Sequence, residues 1–282
     1  MSEERNKKAV WFITGCSSGF GQATARHLLE AGYRVAVTAR DETNVAPFAS
    51  KYGSSALPIS LDIREPSQIE AAVKTAVDHF GRIDCLLNNA GYGYLAAVEE
   101  GEEPEVRAMF ETNFFGLVRL TQAVLPLMRA QQAGHIINIT STMGLMSRPG
   151  VGFYSASKFA VEGLSEALWR EVSPLGIRVT CVEPGAYATD GPGRSLRVRS
   201  RAIDAYAQTA GPVIDATAGS SGSAALPAPI LAAQAIQAVF ESSSPPTNLV
   251  LTRRGLDMLR EKLAHLATTS DAWEAVSVAA GT

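Results

Sequence analysis

The sequence predicts a doubly wound α/β fold, a single-domain, Rossmann-like parallel sheet of about seven strands with helices on both faces. Three observations carry this. Up to about residue 180, short β-branched and apolar runs alternate with longer stretches of helical periodicity. The first run passes directly into a glycine-rich turn and then an amphipathic segment. No internal repeat, and no apolar stretch of the roughly 20 residues a membrane span needs, competes with that reading.

Strands are expected near residues 9–14, 34–38, 56–60, 84–88, 135–140 and 177–182, with helices between them. The helix after the third strand is bounded by its chemistry. Pro66 suits a first turn, Ile69, Val73, Ala76, Val77 and Phe80 recur at helical spacing, and Gly81 is a C-terminal cap. Asn138-Ile139-Thr140 has the form of a glycosylation acceptor but falls in a run that reads as a buried strand. After Pro184 the composition shifts. Residues 190–229 are rich in Gly, Ser, Ala and Pro and are expected to form a mobile excursion rather than sheet, either a substrate lid or a surface insertion. A helix at about 230–240, a seventh strand at 248–251 and a helix at about 256–267 complete one domain spanning residues 1–282.

Hydrophobic residues make up 46% of the chain and charged residues 19%, which suits a globular protein and not a disordered one. A net charge of −3 gives no basic footprint for nucleic acid. The polar start MSEERNKKAV lacks the apolar core of a secretory signal. Cys16, Cys85 and Cys181 are far apart and form no CxxC pair, so a reducing, cytoplasmic setting is expected. His27, His79, His135 and His265 are equally scattered, and no metal site is expected.

The turn after the first strand reads Thr14-Gly15-Cys16-Ser17-Ser18-Gly19-Phe20-Gly21. Its glycines let the backbone approach a pyrophosphate, and the free N–H groups of the following helix start attract that charge. The spacing G-xxx-G-x-G differs from the G-x-G-x-x-G fingerprint, and the lysine of a P-loop is absent. Cofactor choice falls to the second strand, which ends Val37-Thr38-Ala39-Arg40-Asp41. A carboxylate there would hold a ribose 2′-hydroxyl, whereas an arginine would accept a 2′-phosphate. Ala39 occupies the acidic position and Arg40 follows, which favours NADP(H); a one-residue shift of register would put Asp41 in that role and favour NAD(H). Cys16, within the loop, reads as a small buried residue rather than a redox centre.

Tyr154-Ser155-Ala156-Ser157-Lys158 opens a helix expected to run through Trp169. Positions i and i+4 share a face, so the phenol and the ammonium can reach one cleft. A free phenol titrates near about 10, too high for efficient proton transfer at neutral pH, and a nearby cation is expected to lower it. Ser141, at the end of the fifth strand, can bond a substrate oxygen as charge develops on it, or can cap a turn. In a doubly wound sheet ligands gather beyond the carboxyl ends of the strands, where Gly15, Asn89, Ser141 and Gly185 all fall.

With these motifs in order, the chain resembles a classical short-chain dehydrogenase/reductase from about Val10 to Thr189: TGCSSGFG, Asp62, NNAG at Asn88 to Gly91, Asn113, Ser141, YSASK, and Pro184-Gly185 with Thr189. The resemblance implies a catalytic tetrad of Asn113, Ser141, Tyr154 and Lys158. Ser141 and Tyr154 would polarise a carbonyl, Lys158 would also bind the nicotinamide ribose, and Asn113 would help hold a proton-relaying water. It further implies that Gly15, Ser17, Ser18, Gly19, Phe20 and Gly21 receive the pyrophosphate, that Asp62 and Ile63 meet adenine, that Asn89, Ala90 and Gly91 line the cofactor, and that Pro184, Gly185, Tyr187 and Thr189 meet the nicotinamide. Ser18 stands where many NADP-using relatives carry a basic residue, which leaves selectivity to Arg40. TGCSSGFG, the EPG turn and the terminal DAWEAVS are similar to bacterial members related to hydroxysteroid and retinol dehydrogenases.

The family places its substrate pocket at Tyr92, Tyr94, Met143, Leu145, Phe153 and Tyr187, and these side chains suit a lipophilic carbonyl or alcohol. Arg194, Arg197, Arg199 and Arg201 could meet an anion but are expected to form a solvated helix face. A carbonyl reductase or alcohol dehydrogenase is therefore expected. A non-catalytic NADP sensor and an epimerase or dehydratase are the alternatives. The resemblance also implies a homodimer or homotetramer packed through the helices holding Asn113 and Tyr154.

Overall fold

A computed structural model describes residues 9–188, 195–219 and 226–281. In chain order the first half comprises β1 (Val10–Ile13), α1 (Gly19–Glu30), β2 (Arg34–Ala39), α2 (Ala46–Tyr52), β3 (Ala56–Ser60), α3 (Pro66–Phe80) and β4 (Cys85–Asn88). Next come β5 (Gly93–Leu95), α4 (Glu103–Phe110), α5 (Leu117–Gln131), β6 (Gly134–Ile139), α6 (Gly152–Val172) and β7 (Ile177–Glu183). The chain closes with β8 (Leu196–Val198), α7 (Ala210–Gly219), α8 (Pro229–Glu241), β9 (Asn248–Val250) and α9 (Arg253–Ala279).

Seven strands form one parallel sheet in the order β3-β2-β1-β4-β6-β7-β9. The order reverses direction between β1 and β4, which opens a crevice beyond their carboxyl ends. Residues along β1 alternate between two cores. Trp11 and Ile13 pack with Ala25, Leu28, Ile236 and Phe240 from α1 and α8, whereas Val10 and Phe12 pack with Ile69, Val73, Leu120 and Val124 from α3 and α5. A strand covered on both faces must be apolar throughout, which is why β1 reads VWFI without alternation. Burying Trp11 and Phe12 completely contributes on the order of 2–3 kcal/mol each.

The element boundaries expected for α3 hold: Pro66 opens it and Gly81 closes it at φ +79°. The Asn138 side chain is buried, bonded to Asn88 and Ser165, as a strand residue and not a glycan acceptor.

The described residues 195–219 of the expected excursion at 190–229 depart from expectation. Far from leaving the sheet motif altogether, they contribute β8, which pairs in parallel with β5 as a separate two-stranded sheet, and α7. Gly93 lies close under β8, where a Cβ would stand 2.9 Å from Leu196 Cδ1. The basic cluster is correspondingly no solvated helix face. Arg197 is ion-paired with Glu105 at 2.6 Å and stacked 4.7 Å from the Tyr92 ring centroid, and Arg199 pairs with the buried Glu100 at 2.8 Å. Arg201 is exposed, and Arg194 lies outside the described residues. The last helix also runs twelve residues beyond the expected end at 267. No helix among the described residues is long and apolar enough to cross a membrane.

Candidate active site

The glycine turn is held open by its neighbours. Gly15 and Gly19 take φ of +72° and +57°, a region where L side chains are strained. A Cβ on Gly21 would sit 2.3 Å from the Gly15 carbonyl oxygen, so only glycine lets α1 start this close to the turn. Asn89 pins the loop from β4, donating from Nδ2 to the Thr14 and Gly15 carbonyls at 2.7 and 3.1 Å. Ser18 precedes α1 in extended conformation and its side chain makes no capping bond, which leaves first-turn N–H groups for an anion. Cys16 is buried, donates to the Ile13 carbonyl, and is pushed up to about 12 by burial, so it is a packing residue.

A cleft of about 570 Å³ runs from this turn to the start of α6. Gly15, Ser17, Ser18, Gly19, Phe20, Arg40, Asp62, Ile63, Asn89, Ala90, Gly91, Tyr92, Ser141, Tyr154, Lys158, Pro184 and Gly185 line it. Gly21 supports the wall from beneath. Thr189 lies outside the described residues. At the far end Ala39 is the last residue of β2 and Arg40 follows it, exposed. The Asp41 carboxylate turns onto its own backbone, accepting from Thr43 N at 3.0 Å and Thr43 Oγ1 at 2.7 Å. Asp62 is gripped by Arg64 through Nε and Nη2, which holds its carboxyl below the usual range. Arg64 also lines the cleft. Sequence reasoning missed it, although its place two residues after Asp62 was the available signal.

The reacting end is built where β4, β6 and α6 converge. Asn113 lies in a single π-helical turn, Glu111–Gly116, between α4 and α5, a distortion that recurs at functional sites. Its Oδ1 accepts from Tyr92 N at 3.0 Å, and its Nδ2 donates to Tyr92 O at 2.9 Å and Ser157 Oγ at 3.1 Å. The Asn113 amide is thus bonded to protein and fixes the Gly91–Tyr92 wall against α6. Ser141 stands two residues past β6; its Oγ caps the next turn by accepting from Met143 N at 3.1 Å, donates to the Pro184 carbonyl at 3.5 Å, and lies close enough to Tyr154 to favour its phenolate. Lys158 Nζ is buried and donates to the Ile139 carbonyl at 2.8 Å, 5.9 Å from the Tyr154 ring centroid.

The electrostatics differ from expectation at one point. Burial pushes the Tyr154 phenol up, the Ser141 hydrogen bond opposes that, and Lys158 contributes no resolved lowering. Lys158 itself is lowered to about 8, by burial first, against the charges of Glu162 and Cys181. Desolvation wins because both groups lie in the wall before any ligand is counted. Behind Lys158, one turn further along α6, Glu162 Oε2 shares the Asn248 amide with Glu183 Oε1, at 3.0 and 2.7 Å. Burial raises both carboxyls, Glu183 to about 8. Nothing in the local sequence marks this pair, because its members come from α6 and β7 and meet only through β9.

The expected substrate residues divide. Tyr92 lines the cleft, and Met143 and Leu145 join an apolar cluster beside Tyr154 with Leu95, Met146 and Leu196. Tyr94 is buried, bonded through its hydroxyl to Glu102, and Phe153 fills the space over Gly101, where a Cβ would lie 2.2 Å from its ring. Tyr187 packs edge-on against Phe20 at 5.0 Å. Like Met143 and Leu145, these three rings are not among the residues that line the cleft, and Tyr94 and Phe153 pack with Tyr92 and Tyr154.

The family profile for the short chain dehydrogenase matches residues 9–196. Oxidoreductase BOA17 of Botryotinia fuckeliana is 35% identical over 272 residues, 96% of this chain and 98% of its own. A solved short-chain dehydrogenase from Streptomyces avermitilis superposes with a TM-score of 0.89 at 37% identity, covering 96% of this chain and 98% of that one. Two cofactor complexes share the fold. An alcohol dehydrogenase from Thermococcus sibiricus complexed with 5-hydroxy-NADP has a TM-score of 0.71 at 25% identity over 86% of this chain and 96% of that one. The 3-ketoacyl-(acyl-carrier-protein) reductase of Brucella melitensis complexed with NADH has 0.72 at 26% identity over 87% and 97%.

Proposed function

The chain belongs to the short-chain dehydrogenase family and is an oxidoreductase, and from that premise we propose that it interconverts a carbonyl and a secondary or primary alcohol on a lipophilic substrate, using NADP(H), with Tyr154 as general acid/base. The observation that carries this reading is the meeting of Tyr154, Ser141 and Lys158 on one wall of a cleft whose other end is an uncapped helix start behind a glycine turn. The donor set fits a dinucleotide. Close backbone approach at Gly15 and Gly21 and free N–H groups at α1 suit a pyrophosphate. Ala39 offers no carboxylate to a ribose, Asp41 is engaged with Thr43, and Arg40 is free to face a 2′-phosphate, which supports NADP(H) over NAD(H).

A nicotinamide held beside Lys158 would give a hydride to the substrate carbon in reduction and accept it in oxidation. Ser141 Oγ donates to the substrate oxygen and holds it next to the Tyr154 hydroxyl. In reduction Tyr154 gives its proton to that oxygen as negative charge develops there, and in oxidation the phenolate takes the proton back. Lys158, fixed by Ile139, binds the ribose and offsets the phenolate charge. Asn113 keeps the Gly91–Tyr92 wall in place. Met143, Leu145 and their neighbours exclude water from the reacting carbon. The described residues 195–219, which reach the cleft at Ser195 and Arg197, act as a substrate lid.

The exposed Phe115, Phe159 and Trp169 lie on or next to the helices that hold Asn113 and Tyr154, and a homodimer or homotetramer packed there covers them. Following NADPH absorbance against a panel of ketones, aldehydes, steroids and retinoids, with NADH in parallel, tests the reading. Turnover of apolar carbonyls with NADPH is expected. Tight NADPH binding with no turnover on any of them would favour a sensor, and equal use of NADH would remove the role of Arg40.

A further inference from the structure

The last helix leaves the body of the protein. Its first turns pack, with Met258 and Leu259 against the apolar cluster beside Tyr154, but every described residue from Leu263 onward is exposed. Leu263, Leu266, Trp273 and Val276 show 56, 47, 61 and 60% of their surface. An isolated helical extension is marginal in water, and this one carries Thr268, Thr269, Ser270, Val276 and Val278, which are weak helix formers. Its exposed apolar residues follow a heptad pattern: Leu259, Leu263, Leu266, Ser270 and Trp273 step by four, three, four and three along one face.

The charges are arranged against the helix's own dipole. Arg253, Arg254, Arg260 and Lys262 lie in the N-terminal half, where Asp257 and Glu261 offset only part of their charge and Asp257 is already paired with Arg260. Beyond Lys262 the only charged side chains of the helix are Asp271 and Glu274. Positive charge near the N-terminus and negative charge near the C-terminus disfavour a lone helix. An antiparallel copy reverses the effect, because each basic half meets an acidic half.

From the stripe and the charges together we infer that α9 pairs with α9 of a second copy of this chain, antiparallel about a two-fold axis at Leu266. This register sets Leu266 against its own symmetry mate, Leu259 against the partner's Trp273 and Leu263 at the level of the partner's Thr269, beside Ser270. The same register lays the basic half of the helix, Arg253 to Lys262, along the partner's residues 270–279, which carry Asp271 and Glu274. Leu263 thus faces small polar residues, and the two halves that meet carry net charges of opposite sign. The face is separate from the one carrying Phe115, Phe159 and Trp169, so the contact is additional to any dimer formed there. Because Leu259 packs against the cluster beside Tyr154, it also places the partner's Trp273 at the edge of the substrate side.

Single-cysteine reporters test this, since Cys16, Cys85 and Cys181 are buried and free. Under mild oxidation Leu266→Cys is expected to form a disulfide-linked dimer on a non-reducing gel in most of the chain, because a residue on a two-fold axis meets itself. Trp273→Cys and the opposite-face control Thr268→Cys are expected to yield only traces. Cross-linking of the Trp273→Cys variant to the same extent would mean parallel helices, and the same extent in the Thr268→Cys variant would mean random collision. A Leu266→Cys variant that stays monomeric would mean no pairing; each of these results overturns the inference. In a second measurement, Leu263→Asp with Leu266→Asp is expected to lower the assembly size by light scattering while the melting temperature of the body stays unchanged. An unchanged size would overturn it as well.

Discussion

Lys158 donates from Nζ to the carbonyl of Ile139 at 2.8 Å, tying the first turns of α6 to the end of β6 and fixing the ammonium one helical turn from Tyr154. Because that ammonium is buried, it titrates at about 8 instead of the usual 10.5. A lowered lysine loses its proton as pH rises through the lowered value. The rate of carbonyl reduction, kcat/KM, is therefore expected to fall above pH 8 in the free enzyme. Glu162 opposes the shift, so Glu162→Gln should carry the alkaline limb to lower pH. A profile unmoved by that substitution would show that Lys158 is not the group being titrated.

Tyr154→Phe removes the proposed proton donor and keeps the ring. Loss of turnover by about 10²–10⁴-fold is expected, the usual worth of a positioned acid or base. Stopped-flow or equilibrium titration should find NADPH binding nearly intact. Retention of more than a few per cent of kcat would place the proton transfer on another group.

At the other end of the cleft, Arg40→Ala deletes the charged donor proposed for a 2′-phosphate. A charge-assisted hydrogen bond is worth about 1.5–3 kcal/mol, so kcat/KM with NADPH should drop ~10–100-fold. Activity with NADH should stay within a few-fold of its starting value. Adding Ala39→Asp should then raise NADH use, and parallel losses with both cofactors would mean that Arg40 acts on the fold.

Glu183 offers a stability test. Burial first, and the nearby Glu162 charge second, raise its folded value to about 8 from 4.5. The folded state therefore holds a proton that the unfolded chain has released between those values. Its contribution is full below the lower value and is lost as pH rises through about 8. Glu183→Gln keeps an acceptor for Asn248 and removes the ionisation. Melting curves should show a gain of ~1–2 kcal/mol, about 3–6 °C, at about pH 9, and little or none at about pH 5. A gain equal at both pH values would point to packing instead of charge.

Much of this protein was legible from the chain alone. The strand–glycine–helix order, Pro66 and Gly81 at the ends of α3, and the single-turn spacing of Tyr154 and Lys158 are local facts. They rest on backbone sterics and on the helical repeat of about 3.6 residues, which a sequence carries directly. The β5–β8 pair, the ion pairs of Arg197 and Arg199, and the Glu162–Asn248–Glu183 contact were not legible in that way. Each joins residues far apart in the chain, and composition alone reads the Gly- and Ser-rich stretch as loose.

What the sequence determined by itself is the fold class, the dinucleotide turn and the identity of the residues around Tyr154, because each is written in neighbouring residues. Only the tertiary structure decided that Tyr94, Phe153 and Tyr187 do not line the cleft, that Asp41 is occupied by Thr43, and that burial sets the proton affinity of Lys158 and Tyr154. Desolvation and packing depend on what surrounds a side chain in space, and that is fixed when distant segments close around it.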